Sequence, residues 1–219
     1  MPDTARIALF DLDDTLIDRD AAYRRWAEWF AEDRSLEAGA VDFLCREDGH
    51  GYVAREVLFS AVCRRYGLGE PVEALVAEYR QRYLSFFGPE PEVQAALGRL
   101  RTAGWRIGVV TNGPAMQLEK VARAGLEGLV DTVCASGLVG AVKPERAIFE
   151  EALRRVGEPG AVEGVWMVGD SAANDIGGGR AMGFRTVWVH RGRSWELDEF
   201  APDHVVADVP GAVEVLSGG

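Results

Sequence analysis

The chain has 219 residues, of which 47% are hydrophobic, enough for one sizeable domain with or without a smaller inserted one. Its formal net charge of −11 argues against nucleic acid as a partner, because a phosphodiester backbone attracts positive charge. No apolar run approaches the roughly 20 residues of a membrane span, so we expect no membrane partner. The first residues show no secretory signal pattern and the cysteines form no CxxC pair, which predicts a cytoplasmic protein.

In chain order, the first predicted element is a short apolar strand, Ile7-Ala8-Leu9-Phe10, followed at once by Asp11-Leu12-Asp13-Asp14-Thr15. Side chains alternate along an extended chain, so the carboxylates of Asp11 and Asp13 point the same way if that geometry persists. Two carboxylates aimed into one space repel each other unless a cation lies between them. The pattern predicts a hard metal ion such as Mg²⁺, although a solvated turn or a helix cap would use the same residue types.

The block 16–87 has a helical pattern and predicts a helical domain inserted after the first strand. Its apolar periodicity fits helices at 20–30, 41–47, 53–66 and 71–86. Gly49-His50-Gly51 breaks the middle of the block, and Arg46 and Arg55 flank this break. Gly88-Pro89-Glu90-Pro91 follows the block and predicts a linker.

Beyond Pro91, predicted helices and strands alternate. The helices fit 92–103, 116–124, 145–156 and 174–182, and the strands fit 105–110, 130–134, 165–168, 186–190 and 205–206. This alternation predicts an α/β fold, a Rossmann-like parallel sheet with helices on both faces, which the first strand joins. The predicted division is a core of 1–15 and 88–219 and a helical insertion of 16–87.

Polar residues follow the predicted strands at the edge where α/β sheets bind ligands. Thr111-Asn112-Gly113 offers a hydroxyl and an amide to phosphate oxygens, Lys143 stands before Pro144, and Asp170 and Asp175 follow a later strand. Taken singly, these residues could be helix caps or surface side chains. Together they supply a nucleophile, an acid/base, phosphate-binding groups and a magnesium site, the inventory of phosphoryl transfer.

Lysine is rare in this chain, which has 22 arginines but only Lys120 and Lys143. A lysine kept at position 143 indicates a site that calls for a compact ammonium rather than a planar guanidinium. Chance placement explains the same observation equally well.

These motifs, in this order, resemble the haloacid dehalogenase (HAD) superfamily of phosphohydrolases. The matching residues are Asp11-Leu12-Asp13-Asp14-Thr15, Thr111, Lys143 and Gly169-Asp170…Asn174-Asp175. The insertion stands where that family has its type-one helical cap. The resemblance implies that Asp11 attacks phosphorus and forms an aspartyl-phosphate, and that Asp13 protonates the leaving oxygen and then activates water. It also implies that Thr111 and Lys143 bind the phosphoryl group.

The resemblance further implies that Asp11, the backbone carbonyl of Asp13, and Asp170 hold Mg²⁺, with Asp175 supporting the ion from beside it or through water. An acid at position 13 favours an oxygen over a halide as leaving group. The cap has no lysine for the Schiff base of the phosphonate-cleaving members.

We therefore predict a magnesium-dependent phosphomonoester hydrolase of small phosphorylated metabolites, such as a sugar phosphate or a nucleotide, acting as a monomer or homodimer. His50, Arg55 and Arg46 are the candidate specificity residues of the cap. Two alternatives stay open. One is a sugar-phosphate mutase of the same family, and the other is a non-enzymatic phosphorylatable receiver or interaction protein.

Overall fold

The computed structural model describes residues 6–218. The strands of its single sheet are β1 (Ile7–Phe10), β2 (Arg106–Thr111), β3 (Thr132–Ala135), β4 (Val165–Gly169), β5 (Arg185–Val189) and β6 (His204–Val206). Their order across the sheet is β3-β2-β1-β4-β5-β6, and every neighbouring pair is parallel. All residues of β1 and β4 are buried, as expected for central strands covered on both faces. The predicted Rossmann-like α/β class is confirmed.

The helices fall into an inserted group and a group that alternates with the strands. They are α1 (Arg19–Asp33), α2 (Ala40–Asp48), α3 (Arg55–Tyr66), α4 (Val72–Arg82), α5 (Pro91–Thr102), α6 (Met116–Arg123), α7 (Ser136–Val139), α8 (Arg146–Arg155), α9 (Gly178–Ala181) and α10 (Val209–Gly218). Short 3₁₀ turns follow α2 and α4, at Gly49–Gly51 and Tyr83–Phe86, and a π-type turn, Ala172–Gly177, precedes α9. The predicted break at Gly49-His50-Gly51 is therefore a tight turn.

The chain divides into two compact units. The core unit runs up to Ile17 and resumes at Pro89, so it contains the whole sheet. The cap unit is Asp18–Gly88 and contains α1–α4. The sequence predicted these boundaries after residues 15 and 87. Within residues 6–218 there is no helix with the length and apolar character needed to cross a bilayer.

The cap unit is built around aromatic side chains of α1. Tyr23, Trp26 and Phe30 repeat at helical spacing and are each 1% exposed. The Trp26 ring lies 4.9 Å from that of Tyr79 on α4 and 5.9 Å from that of Phe59 on α3, both edge to face. This buried aromatic face gives the four helices a core of their own.

The glycine run after Asp175 lets one segment of the core unit pack closely against the sheet. A Cβ on Gly178 would lie 2.7 Å from the ring of Phe149, and one on Gly179 would lie 2.8 Å from Cβ of Met167 on β4. The run is therefore a packing requirement of this contact. The helical segment predicted at 174–182 begins earlier, because the π-type turn starts at Ala172.

Candidate active site

The backbone at the end of β1 fixes the position of Asp11. Its N–H donates to the carbonyl of Val168 at 2.9 Å, which extends the pairing with β4 by one residue. The chain then turns, because the N–H groups of Thr15 and Ile17 both donate to the carbonyl of Leu12. Asp11 therefore lies at the carboxyl edge of the sheet with only 6% of its surface exposed.

Lys143 joins two of the predicted acids. Its ammonium donates to Oδ1 of Asp11 at 2.5 Å and to Oδ1 of Asp175 at 2.7 Å. Lys143 is 4% exposed and Asp175 is fully buried, so each charge depends on the others for compensation. The sequence separates Lys143 from Asp11 by 132 positions, and the fold brings them into contact.

Burial and neighbouring charges set the protonation of this cluster. Burial raises the pKa of Asp11 well above its usual range, and the carboxylates of Asp175 and Asp170 add to the rise, while the ammonium of Lys143 opposes it. Burial alone would lower the pKa of Lys143, but the attraction of Asp11 and Asp175 holds it above its ordinary value. The cluster is thus an excess of negative charge around a permanently charged ammonium, which favours a further cation.

Asp175 reaches this cluster only because residue 169 is a glycine. Its Oδ2 accepts from the N–H of Ser171 at 2.9 Å, so both carboxylate oxygens are engaged. A Cβ on Gly169 would lie 2.2 Å from Oδ2 of Asp175, far inside any tolerated contact. The glycine at the end of β4 therefore makes room for the buried acid.

We expect Gly169→Ala to displace Asp175, lower the melting temperature and reduce any hydrolytic activity sharply, because the added methyl group overlaps a buried carboxylate. Overpacking of this kind costs about 1–3 kcal/mol or more. The matched control is Gly98→Ala on α5, where a Cβ meets no atom within 4 Å. Thermal unfolding of the two variants measures the difference. Equal melting temperatures for the Gly169 variant and the wild type would show that the site accommodates the methyl group.

Asp170 completes a group of three acids suited to a metal ion. Oxygens of Asp11, Asp170 and Asp175 all lie within 4.8 Å of one another. Oδ2 of Asp170 accepts from Arg193 at 2.9 Å, and its carbonyl accepts from the indole of Trp188 at 2.8 Å. Burial raises the pKa of Asp170 and the charge of Asp175 adds to this, against the opposing charge of Arg193. Oxygen ligands of this kind are those that Mg²⁺ prefers.

Thr111 is the last residue of β2 and Asn112 follows it, and the two use their side chains differently. The Asn112 side chain holds Lys143 by its backbone: Nδ2 donates to the Lys143 carbonyl at 3.0 Å and Oδ1 accepts from its N–H at 2.8 Å. The hydroxyl of Thr111, which is 1% exposed, accepts from Nε2 of Gln117 at 2.7 Å. In this structure Asn112 therefore positions the lysine, and its predicted contact with phosphate stays a prediction.

Asp13 is held by two side chains of α6. The ammonium of Lys120 lies 2.7 Å from Oδ1 and 2.8 Å from Oδ2, and Nε2 of Gln117 donates to Oδ2 at 2.8 Å. Gln117 and Lys120 are three positions apart and so lie on one face of the helix. Both are almost completely buried, at 1% and 4% exposure.

Comparison with known proteins identifies the family of this fold and site. A family model described as haloacid dehalogenase-like hydrolase matches residues 5–183. The chain belongs to this family.

This hydrolase has relatives that align along most of its length. It is 31% identical over 229 residues to the glyceraldehyde 3-phosphate phosphatase of Pyrococcus furiosus, which covers 96% of this chain and 92% of that protein. It is 39% identical over 158 residues to the phosphoserine phosphatase of Thermus thermophilus, covering 72% of this chain and 61% of that one. Both of these relatives are named as phosphatases.

Solved structures of the family share the fold of this hydrolase. The magnesium-bound HAD-hydrolase YfnB from Bacillus subtilis superimposes with a TM-score of 0.81 and 23% identity, over 98% of this chain and 99% of that one. A 2-haloacid dehalogenase from Pseudomonas syringae superimposes with a TM-score of 0.66 and 28% identity, over 98% and 99% of the two chains.

The candidate specificity residues of the cap lie near its 3₁₀ turn, in different surroundings. Arg55 donates to Oδ1 of the buried Asp48 at 2.6 Å and to the carbonyl of Val53 at 2.7 Å, and its side chain is 14% exposed. Nδ1 of the exposed His50 lies 2.7 Å from Asp20, and Arg46 is exposed beside Glu47. Arg55 thus has a role in the cap's own packing, and a substrate contact of any of the three stays a prediction.

Sequence reasoning missed Gln117, Lys120 and Arg193, all of which contact predicted site acids. The signal for Lys120 was present, because it is one of only two lysines in an arginine-rich chain. The relation of Gln117 to Gly113 is visible only in the structure, where a Cβ on the glycine would lie 2.8 Å from Cδ of the glutamine. We find no sequence signal for Gln117 or Arg193.

Proposed function

We propose that this hydrolase is a magnesium-dependent phosphomonoesterase of small phosphorylated metabolites, acting through an aspartyl-phosphate on Asp11. The observation that carries the proposal is the buried contact of Asp11 with Lys143 at the edge of the sheet, beside Asp170 and Asp175. A nucleophile next to a fixed positive charge suits attack on an anionic phosphoryl group. The phosphatase names of the curated relatives support the same reaction class.

The acids of the core unit fit a hard divalent cation. Asp11, Asp170 and the backbone carbonyl of Asp13 would hold Mg²⁺, and Asp175 would support it indirectly, since its oxygens already contact Lys143 and Ser171. When bound, the metal supplies positive charge that polarises the phosphoryl oxygens. The charges of Asp175 and Asp170 add to the rise in the pKa of Asp11, and the charge of Asp175 adds to the rise for Asp170, so a cation bound among these acids would relieve their repulsion.

The reaction has two chemical steps, and the same side chains act in both. A carboxylate oxygen of Asp11 attacks phosphorus in line, the bond from phosphorus to the ester oxygen breaks, and Asp13 gives a proton to the departing oxygen. Asp13 then takes a proton from water, which attacks the aspartyl-phosphate at phosphorus, releasing phosphate and restoring Asp11. Lys143 and the hydroxyl of Thr111 balance charge on the transferring group in both steps.

The choice of substrate is tested with a panel of phosphate esters and purified protein. Three-carbon phosphates and phosphoserine represent the substrates named for the two relatives above, and nucleoside monophosphates represent the nucleotides predicted from the sequence. Release of inorganic phosphate identifies a phosphatase, whereas an isomeric sugar phosphate without net release identifies the mutase alternative. Membership in a hydrolase family sets aside the receiver-domain alternative.

We expect rigorous chelation to abolish phosphate release and added Mg²⁺ to restore it, because the acids require a cation between them. Asp170→Asn removes one charge from the cluster and should raise the Mg²⁺ concentration needed for half-maximal activity. The matched control is Asp42→Asn, an exposed cap residue paired with Arg24. Full activity in metal-free protein would contradict the magnesium requirement.

A further inference from the structure

The Asp13 carboxylate is held by its own set of side-chain contacts, which differ from those of the cluster around Lys143. Lys120 contacts both of its carboxylate oxygens, and Gln117 donates to one of them. The Asp13 side chain is 27% exposed, whereas the side chain of Lys120 is 5% exposed. A flexible lysine that is almost fully buried against one carboxylate loses much side-chain entropy, which the ion pair must offset.

The chemistry of the groups fixes the orientation of the Gln117 amide. A carboxylate only accepts hydrogen bonds, so the amide group facing Asp13 is the nitrogen. The same nitrogen lies 2.7 Å from Oγ1 of Thr111, so its two hydrogens go to Asp13 and to Thr111. A hydroxyl that accepts from Gln117 keeps its own hydrogen for another acceptor. Gln117 therefore orders the acid/base carboxylate and a phosphate-binding hydroxyl together.

We propose that Gln117 and Lys120 are positioning residues that hold the Asp13 carboxylate in one orientation and align the Thr111 hydroxyl with it. This inference rests on the proposed phosphomonoesterase function. Both residues come from α6, which begins five residues after β2 ends, so a single helix face carries the support. Gly113 contributes to the same arrangement, because a side chain at that position would displace Gln117.

The test is a double-mutant cycle on kcat with Asp13→Asn, Lys120→Met and the double variant. A residue that acts through Asp13 loses its effect once Asp13 cannot transfer protons. We expect Lys120→Met to lower kcat about 10-fold or more in the wild-type background, a part of the roughly 10²–10⁴-fold that acid–base catalysis contributes, and to have little effect in the Asp13→Asn background. The matched control is Arg123→Met, which removes a charge from an exposed position of the same helix.

Two ester types separate positioning from general destabilisation. An alkyl phosphate has a poor leaving group that needs protonation, and p-nitrophenyl phosphate has a good one that does not. The loss of kcat/KM in Lys120→Met should therefore be larger for the alkyl ester, because kcat/KM reports phosphoryl transfer and not the later hydrolysis step that both esters share. Gln117→Leu should in addition raise KM, because Thr111 loses its alignment.

The possible outcomes separate the positioning role of Gln117 and Lys120 from the phosphatase assignment. Additive effects in the cycle, or equal losses of kcat/KM for both esters, would overturn the positioning role while leaving the phosphatase assignment intact. A wild-type protein that hydrolyses no phosphate ester with Mg²⁺ would overturn both. If Lys120→Met fails to fold, as judged by circular dichroism, the same cycle with Gln117→Leu gives the decision.

Discussion

Asp11→Asn is expected to abolish turnover of every phosphate ester while leaving the core unit folded. An amide is a far poorer nucleophile than a carboxylate, and loss of a nucleophile typically lowers kcat by about 10⁴-fold or more. The fold should survive, because the amide carbonyl still accepts from Lys143 and the backbone N–H still pairs with Val168. Phosphate release and circular dichroism measure the two effects separately.

The matched control for this variant is Asp14→Asn, the same change three positions further along the same loop. Asp14 has a φ of +57°, a conformation that asparagine also adopts readily, so the loop should keep its shape. We expect most activity to remain in this control. Near wild-type turnover of an aryl phosphate by Asp11→Asn would refute Asp11 as the nucleophile.

Lys143→Arg is expected to lower kcat/KM by about 10²–10³-fold although it keeps the charge, the size of effect seen when one stabilising donor is lost. The ammonium contacts two buried carboxylates at 2.5 and 2.7 Å, and a planar guanidinium is larger and differently directed. Steady-state kinetics at saturating Mg²⁺ provide the measurement.

A second variant, Lys143→Met, removes the charge that Lys143→Arg keeps, so comparing the two separates the effect of charge from that of side-chain geometry. It leaves Asp11 and Asp175 buried without their cation, and breaking a buried pair in this way typically costs about 3–5 kcal/mol of stability. Its melting temperature should therefore fall further than that of Lys143→Arg, while both lose activity. Catalytic efficiency in Lys143→Arg equal to that of the wild type would reduce the lysine to a general electrostatic role.

The sheet could be predicted closely because its strands are buried apolar runs between clear turn signals. β1 has its predicted bounds, β4 ends one residue later than predicted, and β5 is shifted by one residue towards the N-terminus. The helix α10 was missed, although Asp208 caps it through the N–H of Gly211 and Pro210 stands in its first turn. Its sequence contains glycine at Gly211, which weakens a helical pattern read without the cap.

A site residue could be predicted only where its type and its place relative to a predicted strand together indicate a function. Acids and a lysine at strand ends are informative, because parallel strands converge at one edge. A glutamine inside a helix has no such meaning until the fold places it, and the rarity of lysine marks Lys120 without assigning it a partner. Lys120 contacts a carboxylate 107 positions away, and no local pattern connects the two.

Burial of both lysines has a consequence for the chemical reactivity of the folded chain. Lys120 and Lys143 are each 4% exposed and paired with carboxylates, so the basic side chains exposed to solvent are arginines and not lysines. Acylating reagents attack neutral, accessible amines, so these two side chains react only when the core unit opens locally. The rate at which these two lysines are acylated therefore measures how often the site opens. No other lysine side chain contributes to the measured acylation.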